Sequence, residues 1–193
     1  MPNWCHTSYK CVGDLNEVKR LYNVIKDIDE CKTSLLANDF GNRWLGNLIH
    51  NLGGDWKEYS CRGEITDYSF KDNVLTIEQS TAWSEQEGVR RIIEEKFPNV
   101  KVYFQEEELG CDVLNTNDVA GNYFPERYFL RFSGESEYFD TIEDVAECVS
   151  EIVGHKIEPH VKCVQEAFKS YIEEHVEENQ KDCFSFHEFA VSD

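Results

Sequence analysis

The chain has no apolar run near the ~18 residues a membrane span needs, and its opening stretch, MPNWCHTSYK, carries neither the basic nor the apolar region of a secretory signal. These absences predict a cytoplasmic protein with no membrane contact. Basic residues are scarce: 19 Lys and Arg stand against 38 Asp and Glu, for a net charge of −19. A field of that sign repels phosphate backbones and anionic lipid surfaces, so direct nucleic-acid binding is not expected. The eight cysteines, at 5, 11, 31, 61, 111, 148, 163 and 183, never form the paired C-x2-C spacing of a zinc or iron–sulfur site. They are also spread over a chain far longer than a small disulfide scaffold, which predicts free thiols. Gly53-Gly54 lacks the spacing and the following lysine–hydroxyl pair of a phosphate loop. There is no internal repeat and no low-complexity linker, and no cofactor is expected.

What is present is enough apolar material for a core. Hydrophobic residues make up 40% of the 193 and aromatics 13%, so the high charge does not imply disorder. The charge is uneven. Residues 1–100 hold 16 acids and 12 bases, whereas residues 101–193 hold 22 and 7. The second half therefore has few cations of its own to offset its carboxylates.

Periodicity predicts an α+β fold. Residues 3–12 alternate as a strand ending at Gly13. Asp14 and Glu17 form a capping-box pattern opening a helix over 14–28, with Leu15, Val18, Leu21, Tyr22 and Ile25 at helical spacing. A short amphipathic helix is expected over 42–52, stopped by Gly53-Gly54. Residues 59–70 and 73–81 read as a hairpin turning at Lys71-Asp72-Asn73. Ser84 with Glu87 is a second capping box for a helix ended by Phe97-Pro98. Strands are expected at 99–105, 111–116 and 127–133. This order is the βαββαβ pattern of a ferredoxin-like antiparallel sheet with helices on one face. Helices at 141–152 and 159–178 follow, then an alternating tail over 183–191 that suits a last strand or a docking segment. The division expected is a ferredoxin-like domain over 1–135 and an acidic helical extension over 136–193, packed as a single structural unit.

Several segments resemble a known family. MPNWC with Gly13, Gly53-Gly54-Asp55-Trp56, Thr81-Ala82-Trp83-Ser84 and Phe97-Pro98 occur in the order seen in the YubB-type ferredoxin-like proteins of phages, plasmids and other mobile elements. Thr7, Lys57 and Glu85-Gln86 depart from that pattern. The resemblance implies the fold and a mobile-element origin; it implies no reaction.

Three groups of residues are candidates for function. Trp4, Trp56 and Trp83 lie in the matched segments and either fill the core or line a groove at the sheet edge that takes a ligand or a partner. In the last helices, Glu143, Asp144, Glu147, Glu151, Glu166, Glu173, Glu174, Glu177 and Glu178 supply carboxylates. They form either a solvated exterior or a surface for a basic protein, including one that duplex DNA would otherwise occupy. His155, His160 and Cys163 have a weak metal-ligand spacing, H-x4-H-x2-C, against which stands a plain histidine pair with a buried cysteine. Cys111, beside Glu106-Glu107-Glu108, is a poor nucleophile because neighbouring carboxylates disfavour the thiolate. The expected function is a non-enzymatic accessory protein that binds a basic protein partner. The alternatives are an enzyme or small-ligand binder near Trp56 and Trp83, and a DNA-mimicking inhibitor.

Overall fold

The computed structural model describes residues 3–31 and 34–192. Met1 and Pro2 of the opening motif lie outside that range. The chain divides into two compact units, residues 1–118 with 192–193 and residues 119–191. Each is a mixture of helices and strands, so the fold is α+β. Among the described residues no helix is long and apolar enough to cross a membrane.

The first unit contains β1 (Trp4–Gly13), α1 (Leu15–Glu30), α2 (Leu45–Asn51), β2 (Gly63–Lys71), β3 (Val74–Ala82), α3 (Glu87–Lys96), β4 (Val100–Glu108) and β5 (Val113–Thr116). It contributes these five strands in the sheet order β2-β3-β1-β4-β5. β1 lies at the centre and pairs antiparallel with both β3 and β4. This order departs from a plain βαββαβ run in two places, by α2 between α1 and β2 and by β5 beyond β4.

Strand alternation sorts the side chains. Cys5, Thr7, Tyr9 and Cys11 of β1 are fully buried, and Leu75, Ile77, Gln79 and Thr81 of β3 follow the same period. Most of that face meets Val18, Leu21 and Ile25 of α1, Leu45, Leu48 and Ile49 of α2, and Val89, Ile92 and Ile93 of α3 in one core cluster. Each fully buried Leu or Ile contributes about 1.5–3 kcal/mol relative to exposure. The hairpin turns through Asp72 and Asn73, both with positive φ (52° and 65°), between the paired Lys71 and Val74. That is the two-residue loop whose twist suits adjoining strands.

Two expected capping boxes form differently. Asp14 accepts from the amides of Asn16 and Glu17, each at 3.0 Å, but its own amide donates to the Asn99 carbonyl. Glu17 is thus released to accept from the backbone and side chain of Asn99, tying α1 to the start of β4. Gly13 makes this approach feasible, since its φ is +140° and a Cβ there would lie 1.9 Å from the Asn99 carbonyl oxygen. The third helix begins at Glu87, later than expected, because Trp83 turns the chain with φ +75° and the Gln86 side chain ties the segment down. Gln86 donates to the Ser84 carbonyl at 2.9 Å and accepts from the Arg62 amide at 2.8 Å.

The second unit contains β6 (Tyr128–Phe132), β7 (Glu135–Phe139), α4 (Ile142–Val153), α5 (Val161–His175) and β8 (Ser185–Glu188). Its sheet order is β7-β6-β8, with both pairings antiparallel. Leu130 of β6 packs with Val145, Ala146 and Val149 of α4 and with Val164 and Phe168 of α5. Residues 127–133 and the tail are strands as expected. Residue 135, where the sequence reading divides the chain, begins β7 and lies within this unit. The helices after it are accompanied by a sheet of their own, and the unit begins at residue 119.

Candidate functional site

α4 begins where Thr141 accepts from the Asp144 amide at 3.3 Å and ends at Gly154, whose left-handed φ of 78° reverses the chain. The connecting segment is then pinned to the helix, because the Ile157 amide donates to Ser150 Oγ at 2.8 Å while Ile157 is buried in the core. α5 starts at a His160 cap, whose Nδ1 accepts from the Lys162 amide at 3.2 Å. A fixed wall over 154–160 results, with a cleft on either side.

The cleft beside α4, about 610 Å³, is lined by the exposed Glu143, Glu147 and Glu151, by the buried Ala146 and Ile157, and by the exposed Pro159. The cleft along α5, about 540 Å³, has Glu158, Glu166 and Glu174 on its rim with Val153, Ala167 and Tyr171 below. His155 and Lys156 lie in the lining of both. All nine carboxylates named from the sequence are exposed. Glu143, Glu147 and Glu151 line the cleft beside α4, Glu166 and Glu174 line the cleft along α5, and Asp144, Glu173, Glu177 and Glu178 line neither. Lys169 lies 3.9 Å from Glu173, and Lys181 lies 2.6 Å from Glu178. Glu143, Glu147, Glu151, Glu158, Glu166 and Glu174 make no ion pair among the described residues.

The metal-ligand spacing of His155, His160 and Cys163 is not realised as a cluster. His160 spends Nδ1 on the helix cap, and among the described residues no three His, Cys, Asp or Glu side chains are placed to hold a metal ion. His155 and Cys163 share the α5 cleft with His175, a residue the spacing argument did not reach; it stacks on Tyr171 at 4.7 Å.

The three tryptophans separate. Trp56 is half-buried against Trp44, with ring centroids 5.2 Å apart, on the helix side of the first unit's sheet. Trp4 and Trp83 are 57% and 45% exposed and close to each other in register. Trp4 pairs with Ala82, and the Trp83 amide donates to the Asn3 carbonyl at 2.9 Å.

The largest set of polar residues that sequence reasoning passed over lies inside the first unit. Tyr9 Oη donates to Glu85 Oε1 at 2.7 Å, and Arg90 Nε donates to the same oxygen at 2.9 Å. Arg90 also lies over the Phe104 ring at 5.0 Å. Two donors on one oxygen fit an ionised Glu85. Burial raises the Glu85 carboxyl above its ordinary value and outweighs the opposing pull of Arg90 and Tyr9. At Arg90 burial pulls down, but bonding and charge from Glu85 win and hold the guanidinium above its usual value. Glu106 accepts from the Glu85 amide, from Cys5 Sγ at 3.6 Å and from Asn115 Nδ2 at 2.7 Å. Burial lifts the Cys5 thiol to about 11, with Thr7 hydrogen bonding opposing, so it is no thiolate at neutral pH. These hydrogen bonds are spent on holding the 82–86 segment to the sheet. The readable signal was the period of β4: Val100, Val102, Phe104, Glu106 and Glu108 are all buried, so the first and last acids of the Glu106-Glu107-Glu108 run continue the inward face.

On the other face of β1, His6 Nε2 lies 3.4 Å from Glu78 Oε2, and Ser8 donates to Glu78 at 3.0 Å. Hydrogen bonding to Glu78 raises the His6 ring above its ordinary value, against the effect of burial. At Glu78 burial pulls upward, yet the bonds from His6 and Ser8 leave the carboxyl below its usual value. Cys111 accepts from Asn3 Nδ2 at 3.2 Å, and hydrogen bonding with Glu108 raises its thiol.

No protein-family model, curated protein or solved structure matches the chain.

Proposed function

We propose that the protein works without catalysis, by binding a basic partner protein through the carboxylates of its second unit. One observation carries this reading. Six carboxylates line two clefts together with apolar side chains, and none of the six makes an ion pair among the described residues. Exposed carboxylates at close spacing attract a partner's Lys and Arg, speed encounter and select against acidic surfaces. The polar network of the first unit supports the non-catalytic side of the reading, because its acids, its base and its thiol are already engaged with one another.

The first unit is read as a ferredoxin-like sandwich, which the order β2-β3-β1-β4 with three helices packed on one face supports. The similarity of its segments to YubB-type proteins motivates an accessory role on a mobile element, acting in the bacterial cytoplasm. A groove holding Trp56 and Trp83 together draws less support, since Trp56 packs on Trp44 while Trp83 is exposed beside Trp4.

The test is capture of partners from bacterial lysate by the tagged full chain, at low and high salt, with and without competing duplex DNA. A basic protein retained at low salt and released at high salt supports the reading. Its displacement by DNA would mark the partner as a nucleic-acid-binding protein and the carboxylates as a duplex mimic. Retention unaffected by salt, and by reversing Glu143, Glu147, Glu151, Glu158, Glu166 and Glu174 to Lys, would sink the acidic surface as the site.

A further inference from the structure

Of the two clefts, the one beside α4 has the geometry of a docking groove. Glu143, Glu147 and Glu151 stand four residues apart on one helix edge, a step of about 6 Å. A second helix laid alongside presents residues i, i+4 and i+8 at the same step, whereas alternate residues of an extended chain advance by about 6.6 Å. A floor of the buried Ala146 and Ile157, with the exposed Pro159 beside it, offers apolar contact next to that charged edge. The far wall is preformed, because the Ser150–Ile157 hydrogen bond and the left-handed Gly154 hold the 154–157 turn in place without a ligand. Lys156 on that wall disfavours a cation there, which confines basic side chains to the α4 edge.

We infer that the groove between α4 and the 154–159 segment takes an amphipathic helix of the partner, with Lys or Arg at every fourth position against Glu143, Glu147 and Glu151 and small aliphatic residues against the floor. This rests on the proposed basic-partner reading and specifies where and in what conformation the partner binds. Helix-in-groove recognition of this kind is read out by residues at i, i+3, i+4 and i+7. Here the charged stripe lies to one side of the apolar one.

The experiment titrates the full-length protein into a labelled synthetic peptide with Lys at i, i+4 and i+8 and Leu or Ala between, read by fluorescence anisotropy. Two peptides of the same length and charge serve as comparisons, one with the lysines grouped together and one with a central residue replaced by proline, which prevents a helix. The spaced peptide is expected to bind at least about fivefold more tightly than either, because only it meets three carboxylates at once. E143Q/E147Q/E151Q should weaken it by a similar factor, while E166Q/E173Q/E174Q leaves it within about twofold. These exposed amide substitutions preserve the helix, which far-ultraviolet circular dichroism verifies. Equal binding of all three peptides, or loss with the α5 variant and not the α4 variant, overturns the groove and leaves the acidic-surface reading standing. Absence of binding by every basic peptide at low salt overturns both.

Discussion

Gln79 offers a direct test of the packing described for the first unit. It lies in β3, opposite Thr7 of β1, and is fully buried, and among the described residues neither its amide nitrogen nor its carbonyl oxygen has a hydrogen-bond partner. Leaving a buried polar group unsatisfied costs about 1–3 kcal/mol. Met matches Gln in length and lack of branching and brings neither polar group, so Gln79→Met should stabilise the first unit by about 1–3 kcal/mol. Gln79→Ala also removes the polar groups but leaves a void, whose cost opposes the gain, so it should be less stable than the Met variant. Tryptophan fluorescence is the appropriate probe, because Trp4, Trp44, Trp56 and Trp83 all belong to the first unit. Urea titration followed at that signal should move to a higher midpoint, by roughly 1 M for a slope of 1–3 kcal/mol per molar. A Met variant equal to or weaker than the parent would refute the reasoning, and would mean that the amide has partners such as an enclosed water.

Other perturbations follow from the same structure. Arg90→Met leaves the Glu85 carboxylate buried without its cation, and should cost about 3–5 kcal/mol by the same titration. Adding Glu85→Gln should recover part of that loss. Gly13→Ala forces a Cβ into the Asn99 carbonyl at a positive φ, and should destabilise by more than about 3 kcal/mol or prevent folding, checked by thermal melting. His6 has a folded value above its ordinary 6.5, so its stabilising contribution is complete below that pH and is lost as pH rises through the folded value. Glu78 has the opposite sense, with stability present above its ordinary 4.5 and lost as pH falls towards its folded value. Melting temperature should therefore decline as pH rises above 6.5 in the parent and less so in His6→Ala.

The parts of the fold legible in the sequence are those where local chemistry and tertiary packing agree. Asp72-Asn73 tolerates positive φ and so fixes the β2–β3 register without help from the rest of the chain. The stripe of Val18, Leu21 and Ile25 faces inward because nothing competes with its period. Legibility fails where a distant partner takes over a local group. Glu17 pattern-matches a capping box but is drawn to Asn99, which lies far along the chain. β7 carries Glu135-Ser136-Glu137, a composition of loops, and becomes a strand only because β6 supplies its hydrogen bonds. Glu106 looks like part of a solvated acidic run until β4 places it under the 82–86 segment. Among the candidate residues, the exposure of the seven carboxylates on α4 and α5 follows from helical period, whereas Glu177 and Glu178 lie past His175, where α5 ends short of the expected 178. The division of the carboxylates into two clefts does not follow from that period, because it depends on the Ser150–Ile157 bond and the turn at Gly154.

The most direct test of the basic-partner reading compares capture from bacterial lysate by the parent chain and by a variant with all nine carboxylates and Glu158 replaced by amides, at low salt, with each bait verified as folded. The account predicts that basic proteins enriched by the parent are absent from the variant's eluate. The same proteins retained equally by both would contradict it.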